Sequence, residues 1–138
     1  MTEFEIHSIE ELEKLSFDVT WQYFEKLVAF IFEKNDFETI QNKVIVANND
    51  RRQFDVIAKK NNITYLVECK RWKSRANSMS ELRRAVEIHI ERCAFYAEQF
   101  PEEQVQPLLV TPLQGMPEEH DDVYIVPLIS LNWFLNSN

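Results

Sequence analysis

The sequence predicts an α/β fold in which a mixed central sheet is flanked by helices. Three observations predict it. Three strand-like segments follow one another directly after an amphipathic helix. A second long helical segment leads into a mostly apolar strand, the pattern of a parallel crossover. Another strand and a short closing helix complete the order α-β-β-β-α-β-β-α within 138 residues, a length that suits one domain.

Taken in order, residues 8–15 suggest a short amphipathic helix and residues 17–36 a longer one, with Thr20 as the N-cap of its main part. At the helical step, Trp21, Phe24, Leu27, Val28, Ile31 and Phe32 share one arc, and Glu25 falls at its rim. Residues 37–47 read as a strand that ends in the turn signal Asn48-Asn49-Asp50. Residues 51–60 alternate, which sets Phe54, Val56 and Ala58 on one face and Asp55 and Ile57 on the other. Asn61-Asn62 is short enough to make a hairpin with the next strand, which runs through Val67-Glu68-Cys69-Lys70.

Residues 78–99 keep helical spacing at Met79, Leu82, Val86, Ile90, Cys93 and Ala97, and Phe100-Pro101 ends them. Residues 105–111 and 121–127 read as strands, and 128–135 as a closing helix. Trp133 and Phe134 there belong to a core or to a dimer interface. No repeat, low-complexity stretch or linker divides the chain. The expectation is one domain over 1–138, with a core over about 17–112 and a C-terminal strand and helix over 121–136.

Composition excludes several classes. The single glycine, Gly115, rules out a Walker-type phosphate loop and a dinucleotide fingerprint, which need several. Three histidines far apart make a zinc site a poor reading. There is no apolar run of membrane-spanning length, and the acidic opening MTEFEIHSIEELEK has no signal-peptide pattern, so a cytoplasmic protein with reduced Cys69 and Cys93 is expected. The net charge of −8 is unevenly spread: between Lys43 and Arg84 eleven Lys and Arg face four acids. A basic segment in an acidic chain can form a local polyanion-binding face.

The informative charges are those placed where apolar residues are expected. Glu68 and Lys70 lie two apart at the end of a strand, so they share a face. Asp55 interrupts the neighbouring strand about as far from the Asn61-Asn62 turn as Glu68 is. Two adjoining carboxylates repel unless a cation neutralises them, and Mg²⁺ takes one or two carboxylate oxygens plus waters and a phosphate oxygen. Lys70 on the same face can handle the proton of an attacking water or stabilise charge on phosphate. Glu25 is the outlying third carboxylate, for which a solvated helix position is the plainer reading. Cys69 points the opposite way. Trp72 packs at the strand end or shapes the site, and His89, on the apolar arc of its helix, reads as a satisfied semi-buried histidine.

The ordered set Glu25, Asp55, Glu68-Cys69-Lys70 resembles the PD-(D/E)xK nucleases, whose restriction-endonuclease-like core has the order αβββαβ. Within them, FEKLVAFIFEKNDFE, RRQFDVIA and LVECKRW look most like the Mrr-type and archaeal Holliday-junction-resolvase-like branch, over roughly residues 20–112. The resemblance implies Asp55 and Glu68 as metal ligands, Glu25 completing the site, and Lys70 as the catalytic lysine. It also implies Mg²⁺ or Mn²⁺ as cofactor, DNA as substrate, and often a homodimer. Arg51, Arg52, Arg71, Lys73, Arg75 and Arg83 are the expected DNA contacts. Phe54 stands where the wider superfamily has proline, the Mrr branch's glycines before the aspartate are replaced by NNDRRQF, and a polar residue on the helix after the lysine has no clear counterpart. The chain shows no separate DNA-recognition domain, so sequence-specific restriction would need a recognition or motor partner.

The expected function is therefore a divalent-metal-dependent DNA endonuclease acting on branched, damaged or foreign DNA. The alternative is a nucleic-acid-binding or assembly module with the same fold and little chemistry. A third reading, an unrelated interaction protein, would require the carboxylates to be exposed and apart.

Overall fold

The computed structural model describes residues 21–72 and 74–137; the expected helix over 8–15, the Thr20 cap and Lys73 lie outside them. The elements are α1 (Trp21–Lys34), β1 (Glu38–Ala47), β2 (Asp50–Lys60), β3 (Ile63–Cys69), α2 (Arg75–Gln99), β4 (Gln104–Thr111), β5 (Glu119–His120), β6 (Val123–Pro127) and α3 (Leu128–Asn136). They build one six-stranded sheet in the order β1-β2-β3-β4-β6-β5. β1, β2 and β3 form an antiparallel meander, β4 and β6 run parallel to β3, and the two-residue β5 closes the edge. The expected mixed sheet with its β3-α2-β4 crossover is present. β5 is an addition, and Asp121-Asp122 form a turn before β6 rather than its start.

The turns explain how a chain with one glycine folds. Among the described residues, every non-glycine residue with positive φ is Asn or Asp: Asp36, Asn42, Asn48, Asn49, Asn61, Asp121 and Asp122. These short polar side chains tolerate the left-handed region better than other L-residues do. Asn48 and Asn49 both have positive φ, as a two-residue primed hairpin turn requires.

Two layers of helix cover the sheet. On one face, Phe24, Leu27, Val28 and Phe32 of α1 and Leu128 and Leu131 of α3 pack on Val56, Ala58, Val67, Cys69, Leu108 and Val110. On the other, α2 packs Leu82 and Val86 on Leu109, Val123 and Ile125, and Cys93 and Tyr96 on Phe54, Ile57 and Leu66. Met79, expected on the buried arc of α2, is 47% exposed and lies at the edge of that arc, whereas Ser78 beside it is buried. Phe134 packs on the core whereas Trp133 is 71% exposed. The far end of α2 is tied down by Glu103, which accepts hydrogen bonds from Tyr96 Oη at 2.7 Å, Thr64 Oγ1 at 2.7 Å and Lys59 Nζ at 3.2 Å.

Phe54 departs from the alternation expected of β2. It packs with Ile57 under α2, not with Val56 and Ala58. The cause lies opposite: the β1–β2 ladder pairs Gln41 with Val56 and Lys43 with Phe54 but skips the step between, where Asn42 has φ 53°. A left-handed residue kinks an edge strand, and the kink re-aims the facing side chains. The skipped residue on β2 is Asp55.

Candidate active site

The site forms where two strands part. The β2–β3 ladder runs from Lys60↔Ile63 to Val56↔Val67 and stops. One further step in the same register would set Asp55 opposite Glu68. There the Cys69 N–H donates to Asp55 Oδ2 at 2.8 Å instead of to a backbone carbonyl. Beyond it the Lys70 N–H donates to the Val110 carbonyl at 2.9 Å, so the end of β3 leaves β2 and stays with β4. The carboxyl groups of Asp55 and Glu68 come together in the resulting gap, near enough for the charge of Glu68 to act on Asp55.

Burial, and then the charge of Glu68, push the Asp55 carboxyl up to about 7, against the Cys69 N–H bond and the Arg92 charge that favour its ionised form. Two cations flank Glu68, which is only 8% exposed. Lys70 Nζ lies 3.6 Å from Glu68 Oε2, and Arg92 Nη1 lies 3.3 and 3.4 Å from Oε2 and Oε1. Asp55, Glu68 and Lys70 are thus brought together.

Glu25 is buried in α1 at 2% exposure, so it is no solvated rim residue. Its charge acts on the Cys69 thiol together with those of Asp55 and Glu68; burial is the main reason that thiol is held well above its ordinary range. Cys69 faces the α1 layer, as strand alternation requires. Among the described residues no three Asp, Glu, His or Cys side chains close into a ready metal cage, so Glu25 completes no such cluster with Asp55 and Glu68. The fit to Mg²⁺ or Mn²⁺ rests on the converging pair: two oxygen-donor side chains meet in one gap, the Asp55 carboxyl raised by burial and by the charge of Glu68, and Mg²⁺ needs no more protein ligands than that.

Arg92 was not singled out from sequence. The signal was there: at the helical step it falls beside Ala85 and Tyr96, at the edge of the buried arc of α2, the same kind of rim position as that of Glu25. His89, one turn earlier, is fully buried, and its Nε2 lies 2.8 Å from the Leu66 carbonyl. Its Nδ1 has no protein partner, and burial lowers its pKa to about 4, opposed by the Leu66 bond and helped by the Arg92 charge. A histidine depressed from 6.5 to about 4 stabilises the fold fully above 6.5, and that stability is lost as pH falls toward 4, because only the unfolded chain takes up the proton in this window. The expected result in Asp55→Asn protein, free of the Asp55 titration, is a loss of about 2 kcal/mol between those limits. His89→Gln, which keeps a donor for Leu66, should flatten the curve in urea titrations.

The expected DNA contacts differ in what they touch. Arg52 is bound to Glu91 through two bonds of 2.8 Å and lies over the Phe95 ring at 4.7 Å, so it is committed within the protein. Arg51 and Arg83 are exposed, Arg71 is half-buried directly after Lys70, and Arg75 opens α2. Trp72 packs against the Leu82–Val86 cluster and also lines, with Lys70, Glu81, Arg84, Ala85 and Ile88, a hollow of about 260 Å³ beside the site.

Comparison with known proteins decides the family. The restriction endonuclease family model Mrr_cat matches residues 17–97, more than half of the chain and all of the site. The chain belongs to the Mrr-type restriction endonuclease family. An uncharacterized protein of Archaeoglobus fulgidus is 31% identical over 117 residues, covering 85% of this chain and 90% of that one. The small subunit of the heterodimeric restriction endonuclease R.BspD6I has a similar fold, with a TM-score of 0.60 at 11% identity over 93% of this chain and 77% of that subunit. A protein of unknown function, AF1548, gives a TM-score of 0.57 at 19% identity over 77% of this chain, which spans 57% of that protein. The fold is the restriction-endonuclease-like α/β fold of the PD-(D/E)xK proteins, as the sequence predicted.

Proposed function

We propose that this Mrr-type domain is a divalent-metal-dependent endonuclease that hydrolyses phosphodiester bonds in DNA. The observation that carries the reading is the Asp55–Glu68 carboxyl pair held in a strand gap with Lys70 against it. Asp55 and Glu68 are the residues to hold Mg²⁺ or Mn²⁺, and Glu25 adds negative charge from the α1 side. When bound, the ion supplies Lewis-acid polarisation of the phosphate and a more acidic water. Lys70 moves a proton at the attacking water or lays positive charge beside the phosphate. Arg51, Arg71, Lys73, Arg75 and Arg83 hold the DNA backbone, and the hollow beside Lys70 accommodates the strand next to the scissile bond. Partners in this reading are DNA, a second copy of the chain, and a separate recognition or motor protein that supplies sequence choice.

The test is incubation with supercoiled, linear, single-stranded and four-way-junction DNA in Mg²⁺, Mn²⁺ or EDTA, beside Glu68→Gln. The expected result is cleavage that requires metal and is lost in the variant; the form cut fastest names the substrate as duplex, branch or single strand. Binding without cleavage of any form in either metal would replace the reading with that of a binding or assembly module.

A further inference from the structure

We propose that Arg92 is a resident counter-cation which the metal displaces from Glu68, and whose freed guanidinium then takes a phosphate of the DNA. The inference rests on the nuclease reading and assigns a metal-gating role to a residue outside the Asp55–Glu68–Lys70 set.

The geometry of the contact carries it. Arg92 touches both oxygens of Glu68 through one nitrogen, Nη1, at 3.3 and 3.4 Å. A committed arginine–carboxylate pair uses two nitrogens and shorter bonds. This chain contains such a pair for comparison, Arg52 with Glu91, at 2.8 Å twice. The Arg92 contact is the looser of the two, although Glu68 is far more buried than Glu91. The Arg92 side chain is 33% exposed, so its head can leave without opening the core.

The position of Arg92 is nonetheless fixed. His89 Nε2 bonds the Leu66 carbonyl. Leu66 and Glu68 are two apart on one face of β3, and His89 and Arg92 are one turn apart on α2. The buried histidine therefore sets α2 against β3 so that the guanidinium arrives at Glu68. A fixed stem with a loosely held head is what a cation needs if it is to exchange one anionic partner for another.

Charge dictates the exchange. A divalent ion beside Glu68 repels the guanidinium, which must find another anion, and a DNA phosphate at the site is the anion at hand. Arg92 then opposes metal binding in the absence of DNA and ceases to oppose it in its presence. By linkage, DNA raises metal affinity by the same factor as metal raises DNA affinity.

Calorimetric titration of Mn²⁺ into wild-type, Arg92→Ala and Arg92→Lys proteins without DNA tests this. The expected result is binding on the order of tenfold tighter in Arg92→Ala, with Arg92→Lys near wild type. In Lys70→Met protein, which is expected to cut very slowly, metal should strengthen DNA binding, and adding Arg92→Ala should shrink that gain. If Arg92→Ala does not fold, Arg92→Gln carries the same comparison, since it keeps a neutral donor at Glu68. Mn²⁺ binding by the folded Arg92→Ala or Arg92→Gln protein that is equal to or weaker than wild type, in a wild-type protein that binds metal and cuts DNA, overturns this proposal alone. A wild-type protein that neither binds millimolar Mn²⁺ nor cuts DNA overturns the nuclease reading as well.

Discussion

Lys70→Met is expected to slow single-turnover cleavage about a thousandfold without weakening metal binding. The Lys70 backbone is held by the Val110 carbonyl and its Nζ sits 3.6 Å from Glu68 Oε2, beside the carboxylate pair. Removing a positioned proton-transfer group typically costs 10²–10⁴-fold, and removing one preorganised charge at the reacting centre costs about as much. Methionine keeps the length and apolar stem of the side chain, so packing is little changed. Because lysine repels a divalent ion, its loss leaves metal affinity unchanged or slightly higher. Lys70→Arg divides the two roles, since an arginine keeps the charge but does not give up its proton. Substantial recovery by arginine assigns Lys70 to charge stabilisation, and none assigns it to proton transfer. A methionine variant that cuts within tenfold of wild type would remove Lys70 from the mechanism.

How far the site was legible in sequence depends on which physical rule each residue follows. Asp55, Glu68 and Lys70 were visible because a charge on an apolar strand breaks period-two alternation, and a two-residue turn fixes register well enough to place carboxylates on neighbouring strands. Apart from β5, the order of the described elements was visible from periodicity and turn signals, with boundaries a few residues from the observed ones. The strand gap was not visible. It depends on Asp55 taking the Cys69 N–H in place of a ladder bond, which alternation does not forecast, and Asn42, opposite Asp55 with positive φ, lies in a run Thr39-Ile40-Gln41-Asn42-Lys43 that gives no turn signal. The same kink turned Phe54 to the α2 face, against simple alternation. Arg92 was missed because its partner is 24 residues away on another element, and helical periodicity alone does not say what a rim cation meets. Arg52 drew attention as part of a basic cluster, although its charge is engaged by Glu91, again a long-range pairing that composition does not carry.

Asp55→Asn is expected to abolish cleavage and, in EDTA at pH 8, to raise the melting temperature. The Asp55 carboxyl is raised from 3.8 to about 7, first by burial and then by the Glu68 charge. A folded-state pKa above the unfolded one contributes stability that is fully present below about 3.8 and is lost as pH rises through about 7. Above that point the metal-free fold holds two ionised carboxylates in one gap. Asparagine is neutral at every pH, retains an acceptor for the Cys69 N–H and adds a donor toward Glu68. The relief should amount to roughly 1–2 kcal/mol, or about 4–8 °C in melting temperature for a domain of this size. The advantage should shrink toward pH 4, where wild-type Asp55 is protonated as well. Millimolar Mn²⁺ should reverse the order at pH 8, since an ion that binds only the folded state stabilises wild type, and the variant has lost one of its two ligands. The crossing is the diagnostic, because a merely structural aspartate would give a variant that melts lower in both buffers. Thermal unfolding at pH 4 and pH 8, each with EDTA or Mn²⁺, measures it, and an Asp55→Asn protein less stable than wild type at pH 8 in EDTA would mean that the carboxylate pair is not strained. The expected ordering ties the strain to the chemistry: the pair that destabilises the empty fold is the pair that a divalent ion neutralises.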